Sequence, residues 1–349
     1  MIYRRAFALL GMFLASFGGA SCLAPTRAQA LFFPTFGHRA VGAQGWIVPV
    51  HGWLYEPETR PARRRVLRAA LRKTLRIPER EKANALFLSR SDAFLARNLR
   101  AQQWTVAIGA IQAQLRASDA GGHVLDQLTL PATLPAGWQT LDAGACPSSS
   151  PATPAAVDLL EPQGRLVVSD IDDTIKITDV LERPALIART FLKPFDAVPG
   201  MADLYKRWAD QNPSTAFCYM SASPWQLFPA LNAFLQDAGF PRGVVELKRF
   251  RVKDRSFFSL FQSPAVFKTP LLDALVRDFP QRTFILVGDA GEKDPEIYGA
   301  FARAHPQQIG HIYIREWSPA SSPARYEAAF AGVPAARWTV FRDPKEIPA

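Results

Sequence analysis

Two periodicities divide the chain. Between about residues 41 and 130, apolar positions recur with the alternation of half-buried strands. Trp46-Ile-Val-Pro-Val-His-Gly-Trp-Leu-Tyr55 reads as an opening strand with a glycine interruption. Trp104-Thr-Val-Ala-Ile-Gly-Ala-Ile-Gln-Ala-Gln-Leu115 reads as a second, because β-branched residues favour extended backbone. Gly121-Gly122 predicts a turn that returns His123-Val-Leu-Asp-Gln-Leu-Thr-Leu130 as a hairpin partner. These runs predict a small β-rich, sandwich-like domain over residues 31–130. Inside it the period changes. From Ala62 to Arg76, Leu67, Leu71 and Leu75 fall on one helical stripe with Arg65, Arg72 and Arg76 roughly opposite, until Pro78 stops the helix.

Pro131, Pro135, Pro147, Pro151 and Pro154, set among Ala, Ser and Gly, predict a linker over 131–156. From 157 to 349 short apolar strands alternate with helices. Strands are expected at Arg165–Ser169, Thr215–Met220, Val244–Leu247, Thr283–Val287 and Ile309–Ile314. Helices are expected at Met201–Ala209, Trp225–Gln236, Pro270–Asp278 and Pro295–Ala304. This alternation predicts an α/β domain built on a doubly wound parallel sheet covered on both faces. Sites in such sheets lie at the carboxyl ends of the strands.

The first thirty residues stand apart from that pattern. Arg4 and Arg5 precede an apolar run from Ala6 to Ala20, and Ala28-Gln29-Ala30 ends it with small residues. The run is shorter than the ~20 residues of a spanning helix, so residues 1–30 read as a signal peptide and the protein as exported, periplasmic or secreted. The alternative is a lipoprotein anchored at Cys22. Of the other cysteines, Cys218 lies in an apolar strand as a small hydrophobe and Cys146 in the expected linker; a bond between them is the alternative.

The formal charge of +10 is unevenly distributed. Residues 151–349 carry 23 basic and 23 acidic side chains, whereas residues 60–82 carry ten basic residues against Glu79 and Glu81. The positive character therefore belongs to the amphipathic helix. Its basic face is either simply solvated or a peripheral contact for an anionic membrane. No motif supports nucleic acid.

Candidate chemistry begins where the strand Arg165–Ser169 runs into Asp170, Asp172, Asp173 and Thr174. Carboxylates this close call for a cation, and hard oxygen ligands favour Mg2+. Alone, the cluster reads more readily as an acidic, solvated turn after a buried strand. Ser221 ends a later strand, where it either caps a helix or donates to a phosphoryl oxygen. Lys268 precedes the next strand and is either a surface lysine or a neutraliser of phosphate. Gly288-Asp289 ends a third strand, with Asp294 five residues on.

The order Asp-x-Asp-x-Thr, Ser, Lys, Gly-Asp-x-x-x-x-Asp is that of the haloacid dehalogenase superfamily. The strings Ser169-Asp-Ile-Asp-Asp-Thr-Ile-Lys-Ile-Thr178, Tyr219-Met-Ser-Ala-Ser-Pro-Trp-Gln-Leu227 and Gly288-Asp-Ala-Gly-Glu-Lys-Asp-Pro-Glu-Ile-Tyr298 narrow it. Over about 157–317 they resemble the catalytic domain of phosphatidate phosphatases of the actin-patch-protein type, relatives of the lipins. The resemblance implies a haloacid dehalogenase-like fold and hydrolysis of phosphatidate to diacylglycerol and phosphate. Asp170 would be the nucleophile and Asp172 the acid and base. Ser221, Lys268 and Thr174 would bind the phosphoryl group. Asp170, Asp289, Asp294 and the Asp172 backbone carbonyl would hold Mg2+. Asp173 replaces a Gly found in lipins and has no implied role; Arg315 is either a substrate contact or a rim salt bridge.

Apolar residues at 179–198 (Leu181, Leu186, Ile187, Phe191, Leu192, Phe195) and 257–267 (Phe257, Phe258, Leu260, Phe261, Phe267) would suit a lipid-facing rim, or else core. The alternatives for function are an exported phosphatase for soluble phosphomonoesters and a catalytically silent membrane-interaction module.

Overall fold

The computed structural model describes residues 27–39, 45–143, 155–248, 265–317 and 322–348. Nine strands form the first unit: β1 (Gln29–Phe33), β2 (Thr35–Arg39), β3 (Trp46–Glu56), β4 (Arg97–Asn98), β5 (Thr105–Ile108), β6 (Ile111–Gln114), β7 (His123–Leu130), β8 (Gly137–Asp142) and β9 (Ala155–Leu160). They hydrogen-bond as one sheet in the order β1-β3-β2-β9-β8-β5-β6, with β4 and β7 also paired to β3. Alternate residues of β3, including Trp46, Val48 and Val50, point into a core shared with Val106, Val124 and Val157. Two helices lie between β3 and β4: α1 (Pro61–Thr74) and α2 (Ala85–Leu95). Asn84 caps α2 by accepting from the Leu86 and Phe87 amides.

The β-rich character expected for this region is present, but three details differ. Trp104–Leu115 is not one strand, because the chain turns at Gly109, whose φ is +58°, and β5 pairs antiparallel with β6. The partner of β7 is β3 along its whole length, not the preceding hairpin. The expected linker over 131–156 contains β8 and the first residues of β9, which pair with each other. Pro131 and Pro135 precede β8, and Pro147, Pro151 and Pro154 lie outside the described residues, while Trp138, Leu141 and Ala155–Leu160 supply the pairing and burial.

The second unit continues with β10 (Gly164–Asp170), β11 (Lys176–Ile177), α3 (Arg183–Phe191), β12 (Asp196–Ala197), α4 (Met201–Gln211), β13 (Thr215–Pro224), α5 (Phe228–Asp237), β14 (Val244–Lys248), α6 (Ala265–Asp278), β15 (Arg282–Asp289), α7 (Asp294–Ala304), β16 (Ile309–Arg315), α8 (Pro323–Ala329) and β17 (Trp338–Phe341). Its main sheet has the order β14-β13-β10-β15-β16-β17, with every neighbouring pair parallel. Val167 and its alternates face α4 and α5, whereas Leu166 and Val168 face α6, α7 and α8. The chain starts mid-sheet, builds outward to β14, then crosses back to β15. That reversal opens a crevice at the carboxyl ends of β10 and β15.

The two units share a core. Phe33 of β1 lies 4.1 Å from Trp225 and 5.0 Å from Phe228, centroid to centroid, and Phe36 lies 5.8 Å from Phe279. Buried Arg282 braces the joint by donating to the Glu161, Arg165 and Ser214 carbonyls. Cys218 is buried with a free thiol. Cys146 lies outside the described residues, as does most of the expected leader, although Gln29 and Ala30 already belong to β1. Among the described residues no helix is long and apolar enough to cross a membrane.

Candidate active site

Arg165–Ser169 is an apolar strand flanked on both sides by paired neighbours, so its end is held rigidly and delivers Asp170 into the crevice. The Asp170 carboxylate is 1 % exposed. Thr174, expected at the phosphoryl group, donates its hydroxyl to Asp170 Oδ2 at 3.2 Å. The turn between them depends on Asp173, which takes a left-handed φ of +54°. Its carboxylate accepts three backbone N–H groups, from Thr178 at 2.7 Å, Asp179 at 2.9 Å and Val180 at 2.7 Å. This residue, for which the motif implies no role, ties down the loop beyond the acidic cluster. Arg315 Nη1 donates to the Asp173 carbonyl and braces the same turn.

Asp172 faces the other way. Lys176 Nζ lies 2.7 Å from its Oδ1, Thr178 Oγ1 donates to Oδ1 at 2.8 Å, and Ser221 Oγ donates to Oδ2 at 2.6 Å. Burial pushes this carboxyl up, but the Lys176 ammonium and the hydroxyl donors outweigh it and hold it below the usual carboxylate range. Ser221 reaches it from the end of β13, where Ser221 pairs with Leu247 of β14.

β15 brings the second acidic end. Asp289 Oδ2 accepts from the Gly291 amide at 2.6 Å and from Trp317 Nε1 at 2.7 Å. Asp294, the first residue of α7, accepts the Asp289 amide at 3.2 Å. The approach requires a glycine at 288, since a Cβ there would sit 2.4 Å from Asp294 Oδ2 and 2.7 Å from its Cβ. Lys268 of α6 is fully buried between the strand ends. Its Nζ lies 2.7 Å from Asp170 Oδ1, pairs with Asp294 Oδ1, and is 3.6 Å from Glu292.

Three carboxylates thus meet one ammonium, with Asp289 beside Asp294 as a fourth acid of the site. Burial raises the proton affinity of Asp170 well above the usual value, Lys268 opposes it, and neighbouring acids add to it. Burial, with Asp294 beside it, pushes Asp289 up to about 8, and burial also pushes Glu292 up to about 7. Asp170, Asp289 and Asp294 offer oxygens that all lie within 4.8 Å of one another. Asp289 Oδ1 is buried with no hydrogen-bond partner among the described residues. Excess negative charge, hard oxygen donors and an orphaned buried oxygen together fit a divalent cation.

Asp170, Asp172, Thr174, Ser221, Lys268, Asp289 and Asp294, scattered over more than a hundred residues, therefore meet at one crevice. Sequence reasoning missed Lys176, Glu292, Thr178 and Trp317. The spacing of Lys176 four residues after Asp172 was a usable signal; nothing local marked Trp317. The rim expectation is only partly met. Phe191 is buried, Ile187, Leu192 and Phe195 pack against the core, and Leu181 alone of that set is 52 % exposed. Phe257, Phe258, Leu260 and Phe261 lie outside the described residues.

Residues 165–316 match the family of the catalytic domain of phosphatidate phosphatase APP1. An uncharacterised protein of Schizosaccharomyces pombe is 32 % identical over 164 residues, which cover 46 % of this chain and 26 % of that protein. Phosphatidate phosphatase APP1 of Saccharomyces cerevisiae is 38 % identical over 160 residues, covering 45 % of this chain and 26 % of that protein. The chain thus matches about a quarter of the length of these relatives. The match contains all seven site residues and bears out the resemblance read from the motifs.

Proposed function

We propose that the protein is a Mg2+-dependent phosphatidate phosphatase of haloacid dehalogenase type, releasing diacylglycerol and inorganic phosphate. One observation carries the reading: within a segment matching that catalytic family, Asp170, Asp289 and Asp294 converge around buried Lys268 at the strand ends.

Asp170 attacks phosphorus through a carboxylate oxygen, the bond from phosphorus to the glycerol oxygen breaks, and an aspartyl-phosphate forms. Asp172 gives its proton to the departing glycerol oxygen. It then takes a proton from water, which attacks phosphorus and frees phosphate and Asp170. Ser221 links binding to this proton traffic. Turning its hydroxyl toward a phosphoryl oxygen withdraws a donor from Asp172 and brings an anion beside it. Both changes raise the proton affinity of Asp172 from its depressed resting state. Lys268 neutralises the incoming phosphoryl oxygens. Asp170, Asp289 and Asp294 would hold Mg2+, which when bound would supply the remaining positive charge that lets a carboxylate meet an anionic ester. Export through residues 1–30 and peripheral contact of α1 with an anionic membrane complete the reading. Arg65 and Lys73 on that helix are exposed, as is Arg76, which lies two residues past its end at Thr74 rather than within it as the leucine stripe predicts.

Phosphate release from phosphatidate vesicles tests it directly. Activity should require Mg2+, vanish with a chelator, and fall at least a thousandfold in Asp170→Asn. Activity restricted to soluble esters would overturn the lipid assignment, and no metal-dependent hydrolysis of any phosphoester would overturn the enzyme.

A further inference from the structure

A cleft of about 880 Å3 runs between the two units. β3 and β7 form one wall, and β14 with the start of α6 forms the other. Its volume lies in the range of small-molecule sites. Two features connect it with catalysis. Ala222, the residue after Ser221, lines it, and so does Phe267, the residue before Lys268. Its walls therefore include the chain neighbours of two of the side chains assigned to the phosphoryl group.

Its character is apolar where it counts. Among the described residues the large hydrophobic side chains with the greatest exposure are Val66, Leu125, Leu181 and Val266. Leu125, 44 % exposed on β7, and Val266, 72 % exposed on α6, belong to different units yet both line this cleft. Leu271 extends the same surface, and buried Trp225 lies at its floor. Of the charged side chains in its walls, Arg116 pairs with Asp126 at 3.3 Å, and Glu246 and Lys248 of β14 add one charge of each sign, so the walls carry no net charge. Exposed apolar surface on facing walls is costly in water and is relieved by an apolar occupant.

We infer that the cleft receives the acyl-bearing part of one phosphatidate molecule while its phosphate lies at Ser221 and Lys268. The β-rich unit then forms one wall of the substrate site. This inference rests on the phosphatidate phosphatase reading.

The full-length protein, with Mg2+, is assayed on monomeric dioctanoyl phosphatidate and on glycerol 3-phosphate. Leu125→Asp and Val266→Asp alter exposed positions. Each is expected to lower the ratio of kcat/KM for dioctanoyl phosphatidate over glycerol 3-phosphate about tenfold, whereas Val66→Asp, outside the cleft, leaves it unchanged. An unchanged ratio in both cleft variants overturns the inference while leaving the function intact. A wild-type protein that releases no phosphate from dioctanoyl phosphatidate overturns the function itself. A readout independent of turnover uses Asp170→Asn with a phosphatidate carrying a photoreactive diazirine in its acyl chain. Cross-links should fall in residues 123–130 and 266–274, and cross-links confined to other segments overturn the inference.

Discussion

Among the described residues Lys268 is the single ammonium facing Asp170, Asp294 and, farther off, Glu292, with Asp289 completing the acidic set. Buried carboxylates in that ratio repel one another, so the native site gains from a divalent cation that the unfolded chain does not bind. Mg2+ at a hundred times its dissociation constant should raise stability by about 2.7 kcal/mol, seen as a higher Tm than in chelator. Asp289→Asn should lose that rise and, in chelator, be at least as stable as the wild type; a cation-dependent Tm that survives the substitution would refute the ligand set. Gly288→Ala tests the spacing instead. Its methyl would press on Asp294, and the expected cost is about 1–3 kcal/mol of stability with loss of activity, measured by denaturant titration and phosphate release. At this scale much was legible in the sequence, because Asp170, Ser221 and Asp289 each end an apolar strand. What escaped depends on tertiary contact: Trp317 donates to Asp289 across 28 residues, and Asp173 could be understood only once its three amide partners were folded around it.

β9 carries the chain from one unit to the other. Val157 and Leu159 point into the first core, and Leu160 into the second. Asp158 lies on the alternate face, where burial pushes its carboxyl up to about 6 despite Arg282 and Arg242. A raised acid holds its proton longer when folded than when unfolded. Its unfavourable contribution is therefore absent below about pH 4, develops between about pH 4 and 6, and is fully present above. Asp158→Asn should stabilise the protein by about 1–3 kcal/mol at pH 7 and by nothing near pH 4, compared by denaturant midpoints at the two pH values. Helix α1 shows a different limit on reading elements from pattern. Its span was legible from the leucine stripe, but its charge was not, because Arg64 and Arg68 pair with Asp92 and Arg72 pairs with Glu79. The side chains left for a membrane are chiefly Arg65, Lys73 and Arg76. Replacing all three by alanine should weaken binding to anionic vesicles by about 3 kcal/mol, on the order of a hundredfold, and binding that does not change would exclude α1 as the contact.

Across the whole molecule, the boundary between units is where composition misled most. Proline-rich sequence predicts a linker, yet β8 and β9 lie inside the first sheet, between β2 and β5, and the next strand begins only four residues after β9 ends. With Leu31, Phe33 and Trp53 in one hydrophobic cluster with Met201, Phe217 and Phe228, neither unit completes its core alone. Such a chain should unfold as one body, since exposing the joint removes apolar burial from both sides at once. Phe33 is the sharpest probe of that coupling. It is 3 % exposed and packs edge-on to Phe228 and obliquely against Trp225, leading into α5 of the sheet that bears Ser221. Phe33→Ala should cost about 3–5 kcal/mol, the range for truncating a buried aromatic. The loss should appear equally in tryptophan fluorescence and far-ultraviolet circular dichroism, with one transition in wild type and variant alike. Two separated transitions in the wild type, with only the first shifted by Phe33→Ala, would mean that the units fold independently and that the shared core contributes little to holding them together.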